Sequence, residues 1–253
     1  MKINIHAGHN PDGKVACGAV GLIKESTEAR KVKDLVIKYL RSDGNVVHDC
    51  TVDDGTSVSN ILNKIVTKCN NNTVDLDVSI HFNSGAKDKS GNGTTTGTEV
   101  LVYSKTSKAN DKAVRICNKL SGIGFKNRGV KERNDLYFLK HTKAPALLIE
   151  VCFVDDKDDV TLYNKNVDNI AKTISEAIIN KKINMKKVTR VTEKYKVIAS
   201  ALNIRKGAGT KYATTGQVYK TGTIVEVLKY NSGKTWALTQ KGWVSMAHLR
   251  KVK

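Results

Sequence analysis

Four side chains in this sequence could together bind a metal ion and transfer a proton: His9, Glu25, His81 and Glu150. Two imidazoles and one carboxylate form a zinc ligand set of the catalytic kind, because the fourth coordination position stays open for water. Zinc lowers the pKa of that water to about 7, and a second carboxylate outside the ligand set can then take up the proton. Each residue alone also has a structural explanation, such as a hydrogen-bonded histidine at a strand end. Only the set of four predicts catalysis.

Glu150 is the most conspicuous acid of the four. It lies within an apolar run, LLIEVCF, that spans residues 147–153. A carboxylate inside a buried strand is costly unless it has a partner or a chemical task. Its position therefore favours a functional role.

Two other residues, Glu28 and His6, could also be considered as metal ligands. Glu28 is the alternative to Glu25 as a carboxylate ligand, because it lies three residues further along the same predicted helix, on a similar face. We favour Glu25. The period-2 pattern of the first strand puts His6 opposite Ile3 and Ile5, so we expect His6 to lie at the rim or just behind the metal ligands, without binding the metal.

The elements that must position these side chains follow from the hydrophobic pattern. Strand-like runs alternate with amphipathic helical patterns, which is typical of an α/β fold with a mostly parallel twisted sheet and helices on both faces. Strands are predicted at residues 2–7, 46–52, 76–82, 98–103 and 146–153, and helical stripes within 32–40, 58–69, 109–120 and 167–178. Open parallel sheets place functional residues at the carboxyl ends of their strands, so we expect the four side chains to converge on one rim.

The chain changes character after this α/β pattern. We predict one domain at residues 1–180, a polar, lysine-rich linker at 181–196, and a second domain at 197–253. The second domain has short β-branched runs separated by turns that contain glycine, which indicates a small all-β barrel.

The charge is also unevenly distributed. The net charge is +19, of which residues 1–180 carry +4, residues 181–196 carry +6 and residues 197–253 carry +9. Such a basic segment is attracted to polyanions, including nucleic acid, anionic membranes and the phosphate-bearing polymers of a Gram-positive wall. No apolar run approaches the ~18 residues that span a bilayer, and the first residues resemble a strand more than a secretory signal. We therefore expect no membrane span and no signal peptide.

Four segments resemble motifs of the N-acetylmuramoyl-L-alanine amidase 3 family, and especially its clostridial phage endolysins. They are residues 7–10 (AGHN), 18–25 (GAVGLIKE), 79–83 (SIHFN) and 148–155 (LIEVCFVD). The resemblance covers about residues 1–180 and implies that His9, Glu25 and His81 bind Zn²⁺ and that Glu150 is the catalytic acid/base. It also implies hydrolysis of the amide between N-acetylmuramic acid and the L-alanine of the peptide stem. Cys152 departs from the family pattern, which often has glycine there.

The last segment resembles the bacterial SH3 (SH3b) domains of wall hydrolases. The resemblance rests on residues 201–212 (ALNIRKGAGTKY) and on the later glycine and tryptophan positions, including Gly242-Trp243. It implies binding to the cell wall. We expect Trp243 to be a core residue, and Tyr212 and Tyr219 to be candidates for surface contacts.

The sequence favours a peptidoglycan amidase that acts as an endolysin or autolysin on a Gram-positive wall, with anionic wall polymers as possible further partners. Such an enzyme would be made in the host cytoplasm and would reach the wall after holin-type release or lysis. Two alternatives stay open. A zinc endopeptidase of peptidoglycan cross-links would share the metal but not the four motifs. A non-catalytic protein that binds walls or nucleic acid would explain the +15 charge of residues 181–253 but not the four polar residues; we expect no nucleic-acid partner.

Overall fold

The computed structural model describes residues 1–184 and 193–252, which form two compact units. The first unit spans Met1–Asn184. Half of the predicted linker 181–196, namely residues 185–192, lies outside the described part of the chain. The first strand of the second unit begins at Glu193, four residues before the predicted start of the second domain.

The first unit alternates strands and helices. In chain order the elements are β1 (Lys2–Ala7), α1 (Glu25–Ser42), β2 (Val46–Asp49), α2 (Val58–Asn70), β3 (Leu76–Asn83), β4 (Thr98–Val102), α3 (Asn110–Ser121), β5 (Asn127–Glu132), α4 (Tyr137–His141), β6 (Ala146–Phe153) and α5 (Lys157–Ile179). The six strands form one sheet in the order β2-β1-β3-β6-β4-β5. The strands β2, β1, β3 and β6 are parallel, whereas β4 is antiparallel to β6 and parallel to β5. The predicted α/β class and mostly parallel sheet are confirmed.

Helices cover both faces of this sheet because its strands alternate two sets of buried side chains. One set, with Ile5, Ile80 and Ile149 at its centre, packs against α1, α3 and α5. The opposite set, which includes Leu101 and Leu148, packs against α2 and against Phe138 of α4. Polar side chains on this second face, such as those of β3 and β6 near their carboxyl ends, can therefore meet at the rim of the sheet. Across the described residues, no helix is long and apolar enough to cross a membrane.

The second unit is all β. Its strands are β7 (Glu193–Val197), β8 (Ala201–Arg205), β9 (Thr214–Lys220), β10 (Ile224–Val227), β11 (Lys229–Tyr230), β12 (Trp236–Thr239), β13 (Gly242–Ser245) and β14 (Leu249–Lys251), with a 3₁₀ turn at Met246–His248. They form two antiparallel sheets, β10-β7-β14 and β11-β12-β13-β8-β9. These sheets enclose a small apolar cluster that includes Val197, Ile204 and Val244. Trp243 is half-buried and lies outside that cluster, because the pleat that points Val244 inward points its neighbour the other way. The expectation of a core tryptophan was therefore wrong.

Candidate metal centre and catalytic acid

Three of the four predicted residues are brought to one edge of the sheet. His9 follows β1 by two residues, and His81 lies near the end of the adjacent parallel strand β3. The pairing of Ala7 with Ile80 places these two strand ends side by side. Glu25 is the first residue of α1, the helix that packs back along these strands. Three segments that are distant in sequence thus meet at the carboxyl ends of the parallel strands.

The three side chains approach one another closely. Glu25 Oε1 lies 2.9 Å from His81 Nδ1 and 3.2 Å from His9 Nε2. The two imidazole rings are edge to face, with centroids 4.8 Å apart. Ligands held at ~2.0 to 2.1 Å from a tetrahedral zinc ion are separated by roughly 3.3 Å, so these nitrogen and oxygen atoms fit such an ion. The set is a candidate metal centre, and its donors are of the type that zinc prefers.

Glu25 is held in place before any metal arrives. Its side chain is buried, and its oxygens accept hydrogen bonds from the backbone N–H groups of Ala19 at 2.8 Å and Phe82 at 3.2 Å. Burial alone would raise the pKa of this carboxyl, but the hydrogen bonds to His81 and His9 outweigh burial and hold the pKa well below its usual range. Glu25 is therefore ionised at neutral pH, as a metal ligand must be.

Two glycines leave the space that these side chains fill. A Cβ added at Gly8 would lie 1.8 Å from His81 Nε2. One added at Gly18 would lie 2.5 Å from Glu25 Oε2, and the positive φ of 80° at Gly18 itself favours glycine. Any side chain at either position would displace a member of the candidate centre.

Two residues that the sequence did not single out fix the loop that carries His9. Arg30 of α1 donates to the His9 carbonyl oxygen at 2.6 Å and pairs with Asp53 at 2.6 Å. Asn10 is fully buried, donates to the carbonyl oxygens of Val15 and Gly55 at 2.7 Å each, and accepts from the Gly55 N–H. Asn10 is part of the segment AGHN that resembles the amidase family, but that resemblance gave it no role, and Arg30 gave no signal.

Glu150 lies beside this centre. It pairs in register with His81 across β3 and β6. Its Oε2 atom is buried and has no hydrogen-bond partner within the described residues. Burial, helped by the nearby negative charges of Glu25 and Glu99 and opposed by Arg133, raises the pKa of Glu150 to about 8. A carboxyl with this pKa can exchange a proton near neutral pH, which suits a general acid or base.

Glu99 is a further acid at this edge that sequence reasoning missed. Because β4 runs antiparallel to β6, Glu99 pairs directly with Glu150. It accepts hydrogen bonds from Asn83 Nδ2 and Arg128 Nε, both at 2.8 Å. A charged residue in the otherwise uncharged strand TEVLV was a signal, but the partner of that strand could not be read from the sequence.

The two alternative residues lie elsewhere. Glu28 accepts a hydrogen bond from the Tyr163 hydroxyl at 2.6 Å and pairs with Lys31, so it is not part of the triad. His6 is buried and contacts the Phe138 ring edge to face, so of its two expected positions it does not take the one at the rim. Burial lowers the pKa of His6 to about 3, so this residue is neutral at any physiological pH.

The acidic run after β6 has a structural role. Asp155 accepts hydrogen bonds from the backbone N–H groups of residues 85–87, and Asp156 caps α5 while also binding Thr96. Asp159, fully buried, accepts from the backbone N–H of Gly97. These carboxylates hold the loop between β3 and β4 against the start of α5, next to the candidate centre.

Comparison with known proteins agrees with this geometry. The N-acetylmuramoyl-L-alanine amidase family matches residues 3–180, and the bacterial SH3 domain family matches residues 200–250. The chain is 38% identical to an uncharacterized protein of Clostridium perfringens over 97% of this chain and 77% of that protein. It is 30% identical to the endolysin of Bacillus phage SPP1 over 69% of this chain and 63% of that protein.

A solved structure shares the fold of the first unit. The catalytic domain of the CD27L endolysin targeting Clostridia difficile superposes with a TM-score of 0.64 at 31% identity, over 73% of this chain and 99% of that one. Candidate metal ligands also occur in the expected place at the rim of the sheet. The chain therefore belongs to the N-acetylmuramoyl-L-alanine amidase family of peptidoglycan hydrolases and carries a bacterial SH3 domain in its last segment.

Proposed function

We propose that this chain is a zinc-dependent amidase in which His9, Glu25 and His81 hold the ion and Glu150 is the general acid/base. The reaction is hydrolysis of the amide that joins the lactyl group of N-acetylmuramic acid to the L-alanine of the stem peptide. The single observation that carries the assignment is the convergence of three ligand atoms within 4.8 Å of one another, next to a carboxyl with a raised pKa.

The residues divide the chemistry between them. When bound, zinc supplies a Lewis acid for the scissile carbonyl and makes hydroxide accessible near pH 7. Glu25, already ionised and fixed by backbone N–H groups, holds its ligand geometry without reorganisation. Glu150 takes up the proton of the attacking water and returns it to the nitrogen of the leaving L-alanine. Without metal this carboxyl is protonated below about pH 8; the positive charge of a bound zinc ion would favour its ionised form, whose Oε2 atom is then free to accept that proton.

The bacterial SH3 domain in the second unit supports the proposal that the enzyme acts at the cell wall. We propose an amidase domain at residues 1–180 and a wall-binding domain that begins with β7 at Glu193, so that the basic linker predicted at 181–196 ends before β7. The +15 charge of residues 181–253 would add attraction to anionic wall polymers. The endolysin relatives favour a lytic enzyme made in the cytoplasm of a Gram-positive host, with the wall as its site of action.

Product analysis tests the reaction. Purified peptidoglycan digested by the zinc-loaded protein should gain free amino termini of L-alanine, detected by mass spectrometry. Glu150→Gln, which preserves the shape of the side chain, is the matched control and should release none above background. New amino groups from cross-link residues instead would identify an endopeptidase, and no new amino groups would leave wall binding as the function.

A further inference from the structure

The guanidinium of Arg128 is fixed at the rim of the sheet, close to Glu150. Arg128 lies near the start of β5, the edge strand next to β4. Both strands run opposite to β6, so their first residues lie at the edge where β6 ends. Arg128 thus belongs to the same rim as the candidate centre.

Two contacts fix the orientation of the Arg128 head group. Its Nε donates to Glu99 Oε2 at 2.8 Å, and its guanidinium carbon lies 4.9 Å from the centroid of the Phe153 ring. Glu99 is itself held from the other side by Asn83. The side chain of Arg128 remains 32% exposed, and its two terminal nitrogens have no partner within residues 1–184. A structural ion pair with Glu99 would use only the inner nitrogen, which leaves four N–H donors directed elsewhere.

The free end of this side chain suits a carboxylate. A guanidinium presents parallel N–H groups that bind both oxygens of a carboxylate, and stacking on an aromatic ring fixes the plane of that fork. Lys131 and Arg133 lie towards the other end of β5, beside Leu101 and Val102 of β4, so Arg128 is the cation of this strand at the rim.

The offset between Glu150 and Arg128 is spanned by the first two residues of an extended stem peptide. Directly opposed residues of an antiparallel pair, such as Glu150 and Glu99, have Cβ atoms ~5 Å apart, and Arg128 lies one hydrogen bond beyond Glu99. An extended chain advances ~3.3 to 3.6 Å per residue. With the scissile amide at Glu150, L-alanine and the residue after it together span ~7 Å, so the second residue is the one that would reach Arg128. In peptidoglycan this second residue is a D-glutamyl unit linked through its side chain, and its α-carboxyl is either free or amidated.

We propose that Arg128 binds the free α-carboxylate of the second stem-peptide residue and so makes the enzyme selective for stems that are not amidated there. This inference rests on the proposed amidase function. Arg128 contacts the substrate in this account, and Glu99 positions Arg128.

The test compares two disaccharide pentapeptides that differ only at the second residue, D-glutamate in one and D-isoglutamine in the other. The full-length, zinc-loaded protein should hydrolyse the carboxylate form with a kcat/KM about tenfold higher, because one charge-assisted pair is worth at least that factor. Arg128→Gln should reduce this ratio to about one, and Arg128→Lys should retain part of it. Arg41→Gln, which removes a guanidinium at the far end of α1, is the control and should keep the wild-type ratio.

The ratio of the two kcat/KM values distinguishes direct binding of the carboxylate by Arg128 from indirect effects of Arg128 on the catalytic residues. Loss of Arg128 also alters the surroundings of Glu99 and Glu150, but a change in their pKa values would affect both substrates equally and would appear in the pH profile of each. A wild-type ratio near one, or a ratio that survives in Arg128→Gln, would overturn the inference while leaving the amidase function standing. A wild-type enzyme that cleaves neither substrate would overturn the proposed function as well.

Discussion

The buried carboxyl of Glu150 should make the metal-free protein less stable as pH rises. Its pKa is about 8 in the folded chain against an ordinary value of 4.5. Below pH 4.5 the carboxyl is protonated in both states. Between the two values the folded protein holds a proton that the unfolded chain has released, so stability falls with increasing pH until the folded carboxyl also ionises. Glu150→Gln, which is neutral throughout, avoids this loss.

The size of the effect follows from the same values. At ~1.4 kcal/mol per tenfold difference, full expression of the pKa difference would be about 5 kcal/mol. Glu150 keeps partial solvent exposure, which reduces the penalty on its charged form. We therefore expect Glu150→Gln to match the wild type near pH 4 and to exceed its free energy of unfolding by about 1 to 3 kcal/mol at pH 9.

Urea unfolding in the presence of a chelator measures this difference. Every α-helix in the described chain belongs to the first unit, so circular dichroism at the helix band follows the unit that contains Glu150. Glu28→Gln is the matched control, because its partner Tyr163 keeps it outside the metal triad. An advantage of Glu150→Gln that is the same at pH 4 and pH 9 would refute the reasoning, since it would show that the carboxyl does not titrate between those values.

Three further predictions follow from other parts of the molecule. Gly18→Ala should weaken zinc binding at least tenfold in a competition titration, whereas Gly13→Ala, with the same φ of 80° but open space around it, should cost only backbone strain. Arg30→Ala should also weaken zinc binding, about tenfold, because it removes the hydrogen bond to the His9 carbonyl oxygen. Unchanged affinity would show that the loop that carries His9 keeps its conformation without Arg30. A protein ending at residue 184 should keep zinc but sediment poorly with intact walls, and wall binding of the full chain should fall between ~0.1 M and ~1 M salt; equal sedimentation would exclude the second unit as the anchor.

The predictable part of the fold consists of its buried central strands and amphipathic helices. Strands β1, β3 and β6 are apolar runs between turn residues, and the four long helices have clear apolar stripes, so local pattern and tertiary packing agree. The grouping of His9, Glu25 and His81 followed from the rule that parallel strands end at one edge. Their roles as ligands, and that of Glu150 as acid/base, are proposals on this geometry.

The elements that the sequence did not predict have no local hydrophobic pattern that would reveal them. Strand β5 has the polar sequence NRGVKE because it is an edge strand with exposed and half-buried side chains, and α4 has only five residues. Glu99 gains its importance from the antiparallel pairing of β4 with β6, a long-range contact that the hydrophobic pattern does not encode. The half-buried Trp243 was misplaced for a similar reason, since the direction of a strand's pleat depends on its partners.

The central claim is that three residues hold zinc while a fourth moves the proton. Metal content and L-alanine release, measured on the same preparations of wild type, His81→Ala and Glu150→Gln, test it most directly. We expect about one zinc per chain and rapid release in the wild type, neither in His81→Ala, and full zinc content with release lowered ~100 to 10,000-fold in Glu150→Gln. Loss of zinc from Glu150→Gln, or retention of stoichiometric zinc by His81→Ala, would contradict this division of roles.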